Sequence, residues 1–287
     1  MKTLLITGAS GFLGWYLCQA ALRQGWRVQG SYFSHPVQIP DVEMYPLNLT
    51  EINQIEAHLK TLKPDAIIHC AARARAQDCQ ENPEATHGIN VTAALGLARW
   101  GRDRPFVFIS TNQVFDGRQA PYGEADPVSP INVYGQQKAS AEAAILADHP
   151  QATICRMPLL FGVAPTAPSF LQALLQQLHT GQSLDLFTDE FRTPVYAADA
   201  AQGILMALEH EPRILHLGGV ERLSRYEFGQ ILVSVLGLPD SCLRPCLQAD
   251  VPTLAPRAPD LTLDSRQALS LGYAPQAVRP VLERILP

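Results

Sequence analysis

Thr111, Tyr134 and Lys138 bring together a hydroxyl, a phenol and an ammonium, three groups suited to act in concert on one carbonyl. Phe106-Val107-Phe108-Ile109 is a short apolar run with the pattern of a buried parallel strand, and it delivers Ser110 and Thr111 at its carboxyl end. Ligands of open α/β sheets bind at that end. After a loop rich in Gly, Pro and Asp, Pro130 leads into a helical pattern beginning near Ile131, which sets Tyr134 and Lys138 one turn apart on one face. A Tyr and a Lys at this spacing also occur on ordinary solvated helices, so the neighbouring parts of the chain have to decide. Two further loops, residues 189–196 and 256–260, place Arg192 and Arg257 beside proline. A guanidinium fork suits phosphate oxygens. Pairing with a surface Asp or Glu is the alternative for either arginine.

The elements that must position these groups alternate. Thr3 to Thr7 reads as a strand, Gly8-Ala9-Ser10-Gly11 as a tight turn, and Phe12 to Gln24 as an amphipathic helix. Gly8, Gly11 and Gly14 let the backbone turn, approach a pyrophosphate and pack helix on strand. Ser10 and the first helical residues, Phe12 and Leu13, face the same anion. A second strand, Gly25 to Tyr32, runs into Phe33, Ser34 and His35, where an acidic residue would hold the ribose of NAD. No carboxylate there repels a 2′-phosphate, and Ser34 or His35 can donate to one, so NADP is favoured and NAD stays open; His35 also fits an ordinary exposed side chain. Met44 to Leu49 reads as a third strand, Thr50 as an N-cap, and the helix runs to about Leu62. Asp65 to His69 reads as a fourth strand, Pro83 to Arg102 as one long helix, and Gln151 to Arg156 as a sixth strand. This alternation predicts a Rossmann-type α/β fold with a doubly wound parallel sheet.

The later part is less regular: helices over 169–180, 198–209 and 224–236, strands over 183–187 and 214–217, and a proline-rich connector over 239–259. Ser224 with Glu227 three residues on reads as a capping box. The expected division is a dinucleotide-binding domain over 1–160, which the chain re-enters around 190–218, and a smaller substrate-binding α/β portion over 161–287.

Twenty-two Lys and Arg against 27 Asp and Glu give a net charge of −5, which argues against nucleic acid or an anionic membrane as partner. The six cysteines are scattered without zinc-like spacing, so no metal site is expected and a reducing, cytoplasmic setting is. The uncharged stretch between Lys2 and Arg23 is interrupted by three glycines and by Thr7, Ser10 and Gln19, which speaks against a secretion signal.

Taken in order, the Thr-Gly-x-x-Gly-x-x-Gly turn, the strand ending in a hydroxyl and Tyr-x-x-x-Lys on the next helix resemble the extended short-chain dehydrogenase/reductase family. The run Ser110 to Gly117, the stretch Pro127 to Lys138 and the segment Arg257 to Asp264 look closest to its dTDP-4-dehydrorhamnose reductase branch, and the length is shorter than that of typical sugar-nucleotide epimerases. The resemblance implies a cytoplasmic NAD(P)H-dependent reductase of a nucleotide-linked sugar, with a homodimer as an assembly it allows. Tyr134 would donate the proton, Thr111 would bind the carbonyl oxygen, and Lys138 would hold the nicotinamide ribose while lowering the phenol's pKa. It also implies cofactor contacts from Cys70-Ala71-Ala72, from Asn48 and Leu49, where relatives usually carry an aspartate near Asn48, and from Asn90, which would prop the site from behind. Small residues 71 and 72 equally fit ordinary core alanines, and Asn90 equally fits a locally satisfied helix residue. On the substrate side Gln113 stands where the branch usually has tyrosine and Leu159 where it has tryptophan. The branch also includes the regulatory β subunit of methionine adenosyltransferase, an NADP-binding partner of another enzyme, and the segments 69–73 and 191–194 resemble it.

Overall fold

The computed structural model describes residues 1–210 and 212–286, without the side chains of 52–54 and 58. In chain order the strands are β1 (Thr3–Thr7), β2 (Arg27–Tyr32), β3 (Val42–Pro46), β4 (Ala66–His69), β5 (Phe106–Thr111), β6 (Thr153–Met157), β7 (Leu160–Phe161), β8 (Leu184–Phe187), β9 (Phe191–Arg192), β10 (Val195–Tyr196), β11 (Ile214–His216), β12 (Leu223–Ser224) and β13 (Leu243–Cys246). The helices are α1 (Phe12–Arg23), α2 (Ile52–Leu62), α3 (Ala76–Glu81), α4 (Pro83–His87), α5 (Ala93–Trp100), α6 (Val133–Asp148), α7 (Phe170–His179), α8 (Ala197–His210), α9 (Arg225–Val235), α10 (Arg266–Ser270) and α11 (Val278–Ile285).

Seven strands form one parallel sheet in the order β11-β6-β5-β4-β1-β2-β3. β1, β4, β5 and β6 are buried along nearly their whole length, as strands covered on both faces must be. One apolar cluster packs α1 and α8 against the sheet, with Leu17, Ile204 and Leu205 fully covered; another packs α2, α5 and α6 on the opposite face, with Leu59, Leu97 and Ile145. A third core, around Phe161, Leu171, Phe228, Leu232 and Val281, joins β7, α7, β8, α9 and α11. α8 and β11 return from this later region to the main sheet, and β11 pairs with β6 as Ile214↔Ile154.

Several elements depart from the sequence expectation. The third strand is Val42–Pro46 rather than 44–49, in register with β2 as Val28↔Val42; it lies at the sheet edge and ends at a proline. Thr50 does not cap α2: its hydroxyl donates to Asn48 Oδ1 at 2.8 Å, and Glu51 precedes the first helical residue. The expected helix over 83–102 is broken into α4, a π-helical turn at Gly88–Thr92, and α5. The proline-rich connector contains β13, which pairs in parallel with β8 as Leu243↔Leu184. Its apolar Leu243 is buried, a signal that the flanking prolines masked.

Candidate active site

The glycine turn is built for close approach. Gly8 has φ +70°, and a Cβ there would lie 2.8 Å from the Ala71 backbone; a Cβ on Gly14 would lie 2.2 Å from the Gly8 carbonyl oxygen. The loops after β1 and β4 therefore touch, and α1 begins directly on the turn. Gly11 is its N-cap, no side chain caps it and no acid stands in its first turn. Uncapped N–H groups at the positive end of a twelve-residue helix suit a pyrophosphate. Gly8, Ser10, Gly11, Phe12, Leu13 and Gly14 all line one cavity of about 1110 Å³.

The ends of the next strands continue that cavity. Ser34 and His35 line it, joined by a contact of 2.8 Å between Ser34 Oγ and His35 Nδ1. Asn48 and Leu49 line it too, with the side-chain oxygen Oδ1 of Asn48 occupied by the N–H and hydroxyl of Thr50. Cys70, Ala71 and Ala72 form its floor after β4. Asn90 does not line it: buried on the π-helical turn, it accepts from Arg73 N at 2.9 Å and donates to Arg73 O at 3.0 Å and Gln137 Oε1 at 2.8 Å. It props the 71–73 loop against α6 and touches no ligand space, which corrects its assignment as a direct cofactor contact.

β5 and α6 carry the central pair. Asn132 caps α6 by accepting from Gly135 N at 2.9 Å. The buried stripe of α6 runs through Tyr134, Gln137, Lys138, Ala141, Glu142 and Ile145, helical spacing in which polar side chains replace the usual apolar ones. Thr111 and Tyr134 both line the cavity. Thr111 Oγ1 accepts from Gln113 N at 3.2 Å, which turns its hydroxyl proton toward another acceptor. Burial pushes the Tyr134 phenol above its ordinary value, Cys79 and Cys70 add to that, and a hydrogen bond with Thr111 opposes it.

Lys138 departs from expectation. Its ammonium does not line the cavity; it donates to the Ile109 carbonyl at 2.6 Å and lies 3.7 Å over the Phe108 ring. Burial pulls its pKa down to about 7, against Glu142 and Cys70, which favour the charged form. In this state desolvation, not Lys138, governs the phenol. One turn further along α6, Glu142 accepts from Ser110 and pairs with Arg156 at 2.8 Å, all three buried, and Arg156 Nη1 reaches His216 Nε2 at 3.3 Å.

Gln113, Leu159, Arg192 and Arg257 line the same cavity. Arg192 is a buried framework residue rather than a surface pair. It meets Glu190 at 3.4 Å and donates to Phe191 O at 2.6 Å and Ala258 O at 3.2 Å, and burial pulls its pKa down to about 10. Arg257 donates to Val251 O at 2.9 Å and lies 4.8 Å over Phe187. Sequence reasoning missed Arg225 and Glu190. Arg225, the first residue of α9 after the Ser224 cap, shares Glu190 Oε1 at 2.8 Å, and its Nη1 is buried without a partner. Burial alone would raise Glu190, but Arg225 and then Arg192 outweigh it and hold the carboxyl below its usual range. An arginine directly after a recognised cap was the available signal. Arg73 and Arg75, exposed at the mouth, were missed as well.

Comparison with known proteins places the chain among relatives of this architecture. It is 30% identical over 284 residues to methionine adenosyltransferase 2 subunit beta of Xenopus tropicalis, covering 94% of this chain and 83% of that protein. A solved structure of a hypothetical dTDP-4-dehydrorhamnose reductase from Sulfolobus tokodaii superposes with a TM-score of 0.84 at 30% identity, over 96% of this chain and 98% of that one. The dTDP-4-dehydrorhamnose reductase of Bacillus anthracis, solved in complex with NADP, shares the fold with a TM-score of 0.84 at 22% identity, over 99% of each chain. The match to the RmlD substrate binding domain runs over residues 1–287, and the chain belongs to that family, within the extended short-chain dehydrogenases/reductases.

Proposed function

We propose that the protein is an NADPH-dependent reductase of a carbonyl on a nucleotide-linked sugar. The observation that carries this reading is one cavity joining the glycine turn, the Thr111–Tyr134 pair and the arginines 192, 225 and 257. NADP is preferred over NAD because the end of β2 offers Ser34 and His35 and no carboxylate. The α1 N-terminus would hold the pyrophosphate, and the close-set Gly8 and Ala71 backbones would pass beside the cofactor.

Bound NADPH would supply the hydride. Thr111, its oxygen already accepting from Gln113 N, would donate a hydrogen bond to the substrate carbonyl while keeping its proton, and hold that oxygen beside the phenol. Tyr134 would then give up its proton to the oxygen as negative charge develops there. Its raised pKa keeps the phenol protonated at neutral pH, the form a proton donor needs. Lys138 would leave the Ile109 carbonyl for the ribose, be held in its charged form beside the anionic cofactor, and pull the phenol's pKa back down. The arginine cluster is one positive charge in excess over Glu190 before Arg257 is added, which suits the diphosphate of a nucleotide.

A second reading has its own support in the likeness to relatives named methionine adenosyltransferase 2 subunit beta and in the inward-turned Lys138. In it the protein binds NADP and a partner enzyme and turns over slowly or not at all. Incubation of the pure protein with NADPH and a panel of nucleotide-linked 4-keto sugars separates the two. Oxidation of the cofactor with at least one of them is the expected result. Tight NADPH binding with no oxidation on any would favour the binding subunit.

A further inference from the structure

Gln113 sits two residues past Thr111 at the cavity wall, and its amide can face only one way. The backbone N–H of Gly135 is a donor, so the Asn132 atom that meets it at 2.9 Å is the oxygen. The Asn132 nitrogen must then give its protons to the two atoms it faces, the Pro256 carbonyl at 3.1 Å and the Gln113 side chain at 3.0 Å. A carbonyl is an acceptor only, which fixes Asn132 a second time. The atom Gln113 presents to Asn132 is therefore Oε1, and Nε2 is the end left over. Among the described residues Nε2 has no hydrogen-bond partner, and it is not among the sealed polar atoms, so it remains reachable from the cavity that Gln113 lines. The backbone beneath it is pinned as well: Gln113 N donates to Thr111 Oγ1, and Gly135 lies so close that a Cβ there would meet Gln113 O at 2.1 Å.

We infer that Gln113 is a specificity-determining residue: its Nε2 donates a hydrogen bond to an oxygen on the substrate carbon next to the reacting carbonyl. Resting on the reductase reading above, the inference deepens it. Thr111 holds the carbonyl oxygen, so a donor two residues along meets the neighbouring substituent. Leu159 lines the same cavity with no polar atom to compete. The preorganised amide costs little to orient and rejects a ligand that leaves it unpaired.

The test compares three thymidine-diphosphate-linked 4-keto sugars that carry at the adjacent carbon a hydroxyl, a methyl ether or hydrogen. NADPH oxidation is read as kcat/KM. Calorimetric affinities of the matching 4-hydroxy sugar nucleotides for the NADPH-loaded protein are read beside it. Wild type should prefer hydroxyl over hydrogen by about five- to tenfold, the scale of one neutral hydrogen bond. Gln113→Leu, which leaves Asn132 its bond to Pro256, should bring that ratio to about one. Gln113→Glu keeps the acceptor for Asn132 but faces the ligand with oxygen, so it should disfavour the methyl ether relative to the hydroxyl by at least about tenfold more than wild type does. A merely structural role would lower all three ligands together and leave the ratios alone. Unchanged ratios in both variants with turnover or binding intact would overturn this inference and spare the reductase reading. Wild type that neither oxidises NADPH with nor binds any of the three would overturn both.

Discussion

At the scale of single residues, the proposed site depends on three side chains in different states. Tyr134→Phe should leave NADPH affinity within about twofold and cut turnover at least about a hundredfold, the loss typical of an acid catalyst; equal turnover in a steady-state assay would remove Tyr134 from the chemistry. Lys138 gives a pH signature. Its folded pKa of about 7 lies below the ordinary 10.5, so between those values the unfolded chain binds the extra proton and stability rises with pH. The full cost of burying the ammonium is felt below about 7 and is relieved towards 10.5. Denaturant midpoints of wild type and Lys138→Met, compared from about pH 6 to about pH 9, should show wild type gaining on the variant as pH rises. Parallel curves would mean that Lys138 is charged throughout. The sequence made the Thr111 and Tyr134 positions legible because strand-end and i, i+4 geometry follow from periodicity. It could not reveal that Lys138 turns inward, since that depends on Ile109 O and Phe108 being nearer than water.

At the scale of elements, the contact between the β1 turn and α1 leaves no room for a side chain. Gly14→Ala forces a methyl to within 2.2 Å of the Gly8 carbonyl oxygen, and the strain should cost on the order of 1–3 kcal/mol and weaken NADPH binding. Chemical denaturation and a cofactor titration of the one variant check both effects. On the π-helical turn, Asn90→Ala removes the bonds to Arg73 and Gln137 and should destabilise by about 1–3 kcal/mol. These two cases differ in legibility. The glycine spacing stands out in the sequence, whereas Asn90 reads as one polar residue in a helix until the turn at Gly88–Thr92 aims it at the 71–73 loop. The third strand was misplaced because Leu47 and Leu49 extend its apolar run; both are buried in the core beyond the last ladder pair, Tyr32↔Pro46.

At the scale of the whole molecule, the cavity is walled on one side by the ends of the parallel strands and on the other by the segment from Thr253 to Ala258 with Glu190, Arg192 and Arg225. Amide hydrogen exchange should separate the two walls. NADPH alone is expected to slow exchange around 8–14 and 70–72, and a nucleotide sugar added afterwards around 253–258. Protection of both walls by NADPH alone would mean that the cofactor fills the entire space. No described helix is long and apolar enough to cross a membrane. The alternation of strands and helices made the sheet readable from the sequence. The arginine cluster was readable only in part: Arg192 and Arg257 stand out beside prolines, but nothing in the sequence ties Arg225, on a distant helix, to Glu190 beside Arg192.

The buried group of Ser110, Glu142, Arg156 and His216 ties β5, α6, β6 and β11 near the carboxyl ends of those strands. Deleting one ionic member strands its partner's charge, whereas exchanging Glu142 and Arg156 together for apolar residues of like volume can come out near neutral. Mutational drift through this group thus has to cross a deep fitness valley or leap it by paired change.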